Sequence, residues 1–324
     1  KSRRETNRQL FLDLYQGIVS ENGDIIETGK FSNELDSKFF ESDISFTPDG
    51  KTIYFTWNNF YNTQSRKDSA KWKSLQLMKA SINERFEISN IRHLPFNNEA
   101  YSVRYPEVSK DGKQLYFASD MPNGFGGTDI YVVDIFSNDT YSKPKNLGKT
   151  INTKEDEIFP FIDNNNTLYF ASNGHKGMGG FDIFAVDLNQ KDALPVHLTS
   201  PINSPFDDFG MYWNRNTNQG VFTSNRPGGQ GGLDIWTIAL DETGNVVGEA
   251  TNLGRPVNSE LDEQSPFMHE ISSTLFFSSK GHNSIGGLDI FKSAYNKENK
   301  SFEQPINLGL PINSSKDDAY LIWD

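Results

Sequence analysis

The chain has 324 residues, with 31 Lys plus Arg against 43 Asp plus Glu, a net charge of −12 and no cysteine. That charge repels a phosphate backbone and argues against a nucleic-acid partner, and the missing thiols exclude disulfides and thiolate zinc sites. No apolar run approaches the length of a membrane span, and Asp13 interrupts the apolar stretch behind the basic residues 1–7, so neither a transmembrane helix nor a signal peptide is expected.

From the N-terminus, Asp13-Leu14-Tyr15 followed by Asn22-Gly23 reads as a strand and a turn. Residues 46–56 predict two strands joined by the tight-turn dipeptide Asp49-Gly50. A long polar stretch, residues 57–73, separates them from the apolar residues 74–78, and Asp111-Gly112 turns the next pair. Residues 157–162, 167–172 and 182–187 predict three successive strands, with a turn at 163–166, a Gly-rich loop at 173–180 and a last polar strand near 195–200. The same order returns twice more and breaks off in residues 317–323. Apolar runs this short, rich in Phe, Tyr, Ile and Val, suit strands rather than helices, so the chain is all-β.

Gly-Gly-x-Asp-Ile occurs four times, with its Asp at Asp129, Asp182, Asp234 and Asp289, in steps of 53, 52 and 55 residues. A period of this size filled with short strands indicates a β-propeller, one four-stranded blade per repeat. Gln76 lies 53 residues before Asp129 and Asp13 a further 63 residues before that, which completes six units. The expected fold is a single domain, residues 1–324, forming a six-bladed propeller whose sixth blade is closed by both chain ends, residues 13–19 and 319–323. One strand of that blade is missing from the count: either the blade is three-stranded or the natural chain is longer and multidomain, and a start at Lys1 rather than Met favours the second.

The Gly-Gly-x-Asp loops lack the Lys and the helix of a phosphate loop. They are read as structural: glycines with positive φ in a tight loop, and an Asp accepting loop backbone N–H groups. A second constellation precedes the first strands, where aligning the blades gives Glu41, Ser102, Glu157, Asp208, Glu263 and Asp318, thickened by Asp156, Asp207, Asp262 and Asp317. First strands line a propeller's channel, so the five carboxylates are candidates for a negative rim that contacts a cation or a partner's basic segment. The competing reading has each one capping backbone N–H groups between blades. Paired channel carboxylates also raise a carbohydrate-active alternative, a glycoside hydrolase or glycan binder, but quasi-equivalent positions offer no unlike acid and base. His175 and His282 match in non-adjacent blades and are too distant to share a metal, so no catalytic residue, metal or cofactor is expected. Residues 57–73 carry Arg66, Lys67, Lys71 and Lys73 on a loop about ten residues longer than its counterparts, a candidate contact element.

Residues 46–56, Ser119-Asp-Met-Pro122 and Ser224-Asn-Arg-Pro-Gly-Gly229 resemble the TolB-like (PD40, WD40-like) propellers of Bacteroidota OmpA-family envelope proteins. The likeness spans essentially the whole chain, although the first blade has lost its glycines and no peptidoglycan-binding domain is present. It implies a non-enzymatic, protein-binding propeller in the periplasm, associated with the outer membrane and with envelope protein partners. Some members of that group serve type IX secretion and gliding.

Overall fold

A computed structural model describes residues 15–19, 25–30, 41–58, 74–83, 88–163, 165–214, 218–241, 246–269, 272–296, 298–299, 301–309, 313 and 317. They form five successive antiparallel four-stranded sheets. Blade 1 is Glu41–Phe46, Thr52–Asn58, Leu75–Ile82 and Ile88–His93. Blade 2 is Val103–Val108, Gln114–Ser119, Asp129–Asp134 and Lys145–Asn146. Blade 3 is Glu157–Ile162, Thr167–Ser172, Asp182–Asp187 and Val196–His197. Blade 4 is Asp208–Asn214, Gln219–Ser224, Asp234–Leu240 and Val246–Asn252. Blade 5 is Glu263–Met268, Leu275–Ser279, Asp289–Ser293 and Ile306–Asn307, with a small hairpin, Tyr295–Asn296 and Ser301–Phe302, inserted before the last strand.

Among the described residues there are five blades, where six are expected. The N-terminal unit supplies a two-stranded hairpin, Tyr15–Val19 with Ile25–Lys30. The strand expected to join it, residues 319–323, lies outside the described residues, as do residues 13 and 14.

The middle strands read as continuous apolar runs because both of their faces are covered by neighbouring blades. Ile130 and Val132 of blade 2 pack with Ile162, Leu168, Phe170, Phe184 and Val186 of blade 3. Ile183, from the opposite face of blade 3, joins Met211, Trp213, Phe222 and Trp236 of blade 4. Val221 and Ile235 of blade 4 meet Leu275, Phe277 and Phe291 of blade 5. Each fully buried Phe of this interblade core contributes about 1.5–3 kcal/mol relative to an exposed ring.

Every described first strand carries a bulge against its second strand. In blades 2 to 5 the third residue sits there at positive φ: Tyr105 at 57°, Phe159 at 53°, Gly210 at 63° and Ser265 at 54°. This is costly for an aromatic residue and is held by neighbouring rings. Tyr105 and Phe159 lie 4.4 Å apart and Phe159 and Phe209 5.9 Å, which sets the first strands of blades 2, 3 and 4 side by side.

Candidate functional site

The Gly-rich loops join the second and third strands and meet the loop that enters the next blade. The repeat Asp folds its own loop back on itself. Asp129 accepts the Phe125 N–H at 2.6 Å, Asp182 those of Met178 and Gly179 at 2.9 and 3.1 Å, Asp234 that of Gln230 at 2.6 Å, and Asp289 that of Ile285 at 2.5 Å. The residue ahead of that Asp donates its N–H forward, to the entry of the following blade in Thr128 to Asp156 at 2.8 Å, Phe181 to Asp207 at 3.0 Å and Leu233 to Asp262 at 3.1 Å, and beyond blade 5 in Leu288 to Asp317 at 2.7 Å. Hydrogen bonds to a charged acceptor are worth about 1.5–3 kcal/mol each, so these aspartates staple blade to blade.

The glycines are explained by that staple, and the expected positive φ is not found at Gly127, Gly180, Gly232 or Gly287. A β-carbon on Gly180 would lie 2.1 Å from Asp207 Oδ1, and one on Gly179 2.1 Å from the Phe206 carbonyl oxygen. The neighbouring blade approaches too closely to admit a side chain.

The carboxylates expected at a channel rim are placed differently. Glu157, Asp208 and Glu263 are fully buried. Glu157 accepts the Thr153 N–H and hydroxyl, both at 2.7 Å, and the Ser172 hydroxyl at 2.6 Å. Glu263 repeats this with Ser259 and Ser279, at 2.7, 2.5 and 2.6 Å. Burial pushes both glutamates above the usual carboxylate range, while these hydrogen bonds and the nearby His175 or His282 pull the other way. Asp208 accepts the Ser204 N–H and hydroxyl at 2.7 and 2.8 Å and pairs with Arg226. With no accessible surface, these three cannot meet a cation, a basic peptide or a glycan, which corrects the rim reading and removes them as a hydrolytic pair. The side chain of Glu41 and all of Asp318 lie outside the described residues, as do Arg66, Lys67, Lys71 and Lys73.

Ser102 is also corrected. Val103 pairs with Ser119 as Glu157 pairs with Ser172, so Val103 occupies the buried-carboxylate position. Ser102 stands where Asp156 does and accepts the Leu75 N–H at 3.1 Å, a neutral version of the blade staple.

The asparagines that precede the first strands have a role that was not read from the sequence. Asn152, Asn203, Asn258 and Asn313 each accept the N–H and donate to the C=O of one isoleucine, at Ile130, Ile183, Ile235 and Ile290, over 2.7–2.9 Å. Asn97 does the same to Leu77. The amide imitates a strand partner and seals a buried peptide group. The recurring Ile/Val-Asn-Ser/Thr triplet is the signal.

Two further polar features join the blades. Glu107 accepts the Ile162 N–H at 3.1 Å and the Ser45 hydroxyl at 3.4 Å, bridging the first strands of blades 1, 2 and 3. At the opposite end from the Gly-rich loops, a cleft of about 400 Å³ opens between blades 1 and 2, lined by Pro48, Tyr54, Lys79, Asp111, Phe136 and Asp139. Its Lys79 is buried, pairs with Asp139 and lies 5.8 and 6.0 Å from the Tyr54 and Tyr141 rings, whose hydroxyls bond at 3.0 Å. Arg92 shares Asp139. Two cations thus share one carboxylate across the joint. No cluster of metal-ligating side chains occurs among the described residues.

The arrangement is similar to a putative TolB from Agrobacterium tumefaciens, with a TM-score of 0.57 at 12% identity over 87% of this chain and 85% of that one. It is similar to TolB from Acinetobacter baumannii, with a TM-score of 0.54 at 15% identity over 87% and 60%. The fold is that of TolB-like propellers. It is also shared with prolyl oligopeptidase B from Galerina marginata, with a TM-score of 0.51 at 14% identity, where the match covers 83% of this chain and 35% of the peptidase. No family model and no curated protein matches the chain. No helix among the described residues is long and apolar enough to cross a membrane.

Proposed function

We propose that this chain is a non-catalytic propeller scaffold that presents its faces to envelope proteins. The observation that carries this reading is the fate of the repeated carboxylates. Glu157, Asp208 and Glu263 are the acids best placed to suggest hydrolysis, and each is buried and committed to holding its own blade entry. A machine that spends its periodic polar residues on blade joints keeps the loop surfaces for recognition. The TolB-like fold and the family resemblance support a periplasmic location at the outer membrane, in an OmpA-family assembly of a Bacteroidota-type envelope, with type IX secretion as one such setting. On this reading the two chain ends complete a sixth blade. Cross-linking in intact cells followed by identification of the adducts tests it: envelope proteins are expected. Hydrolysis of peptides or glycans by the purified chain, lost in Glu157→Gln, would sink it.

A further inference from the structure

The Gly-rich loops present an exposed apolar arc that the fold does not require. In each, the residue before the Gly-Gly pair is fixed by its own N–H donated to the repeat Asp. That bond sets the backbone whatever the side chain is, and the side chain is left outside. A position with no packing duty is ordinarily polar. Here it is Phe125, Met178, Gln230 and Ile285, and the three apolar residues are 47%, 44% and 47% exposed. The adjoining entry loops add Phe206 at 39% and Leu261 at 52%. Because the Gly179 and Gly231 backbones press against the Phe206 and Leu261 carbonyls, the loop tips sit side by side at each joint. Every described Gly-Gly-x-Asp joint thus carries an apolar tip, and the joint between blades 3 and 4 carries two, Met178 and Phe206.

We infer that this loop face docks a polypeptide whose apolar side chains are flanked by lysine or arginine. The inference rests on the scaffold reading and names the surface and the partner's chemistry. Contiguous exposed apolar side chains on one face mark a docking surface, and a few such anchors dominate binding. Charge selects the occupant. At −12, the chain repels a second copy of itself and an anionic lipid surface, and attracts a basic partner.

The test screens the immobilised full chain against a displayed library of short random peptides. Peptides joining an aromatic or aliphatic residue to Lys or Arg are expected. They should bind at least about tenfold more weakly to the Met178→Ser/Phe206→Ser variant, and unchanged to Phe136→Ser/Leu194→Ser, which alters exposed residues at the opposite end of the blades. Binding should weaken between about 0.15 M and about 0.5 M salt as screening shortens. Phe125→Ser/Ile285→Ser is the second pair should the first fail to fold. Several results overturn the inference: no binder from the library, binders indifferent to both loop-face variants, acidic binders, or a dimer of the free chain that Met178→Ser/Phe206→Ser dissociates. Binders lost only in Phe136→Ser/Leu194→Ser would move the surface and leave the scaffold reading standing. Peptides that are cleaved rather than retained would overturn the scaffold reading itself.

Discussion

Asp208 and Arg226 form a buried ion pair, Nη2 to Oδ1 at 2.5 Å, in the one described blade whose entry carboxylate is aspartate. In blades 3 and 5 the carboxylate is Glu157 or Glu263, and the loop residue is His175 or His282, whose ring meets the Ile151 or Val257 carbonyl at 2.7 or 2.8 Å. Arg226 performs that same contact on the Pro201 and Ile202 carbonyls while also reaching the shorter acid. Blade 4 therefore swaps both members together: a longer base compensates for a shorter acid.

Arg226→Ala is expected to destabilise the fold by about 3–5 kcal/mol, because it strands a buried carboxylate without its counter-charge. Arg226→His should be nearly as damaging, and Asp208→Glu/Arg226→His should recover part of the loss by rebuilding the blade 3 arrangement. Urea denaturation of the three variants checks this, and a double variant no better than Arg226→His would disprove the compensation.

Gly180→Ala should cost about 1–3 kcal/mol, the range for forcing an atom into a packed site, because its β-carbon would meet Asp207 Oδ1 at 2.1 Å. Since the obstacle is the carboxylate and not the backbone angle, Gly180→Ala/Asp207→Ala should cost less than the sum of the single changes. Strict additivity in thermal unfolding would contradict this account.

Asn203→Leu should leave the Ile183 N–H buried without a partner, at about 1–3 kcal/mol, while the Ile183 C=O keeps the Leu198 N–H at 3.1 Å. Hydrogen exchange at the Ile183 amide reads this directly. Protection equal to that of the parent chain would show that the amide clamp is dispensable.

Burial pushes the Glu107 carboxyl up to about 6, against the pull of Lys110 and the bonds from Ile162 and Ser45. The fold favours its protonated form, so this contribution is complete below the ordinary value of 4.5 and is lost as pH rises through about 6. Glu107→Gln should therefore be more stable than the parent at about pH 7, by on the order of 1–2 kcal/mol, and equal to it at about pH 4. Melting curves that coincide at the higher pH would refute the sign.

The blades were legible because Gly-Gly-x-Asp is constrained twice, once by its own loop and once by the next blade, so four copies stay recognisable. Blade 2 misled the alignment of entry acids. Val103 replaces the carboxylate there, and matching polar residues slid the register by one onto Ser102. The role of Gly180 was misassigned because sequence shows that a β-carbon is unwelcome without showing whether φ or a neighbour forbids it. Burial of Glu157 was hidden for a related reason: Ser172 and His175, which enclose it, sit 15 and 18 residues downstream, at the end of a predicted strand and in the Gly-rich loop. The sixth blade was counted from signatures at both ends, and the strand that decides it lies outside the described residues.

The neutral staple at Ser102 makes the seam between blades 1 and 2 unlike the other described ones. A hydroxyl holds an N–H less strongly than a carboxylate, so this staple between blades 1 and 2 is weaker than its charged counterparts, and the seam is also held by the Tyr105 N–H on the Thr56 hydroxyl and the Val108 N–H on the Ser45 hydroxyl. At the other end of the same seam, Lys79 and Arg92 converge on Asp139 and the Tyr54 and Tyr141 hydroxyls meet. One seam thus carries two chemistries, neutral hydrogen bonds towards the loop face and an ion-pair cluster at the far end.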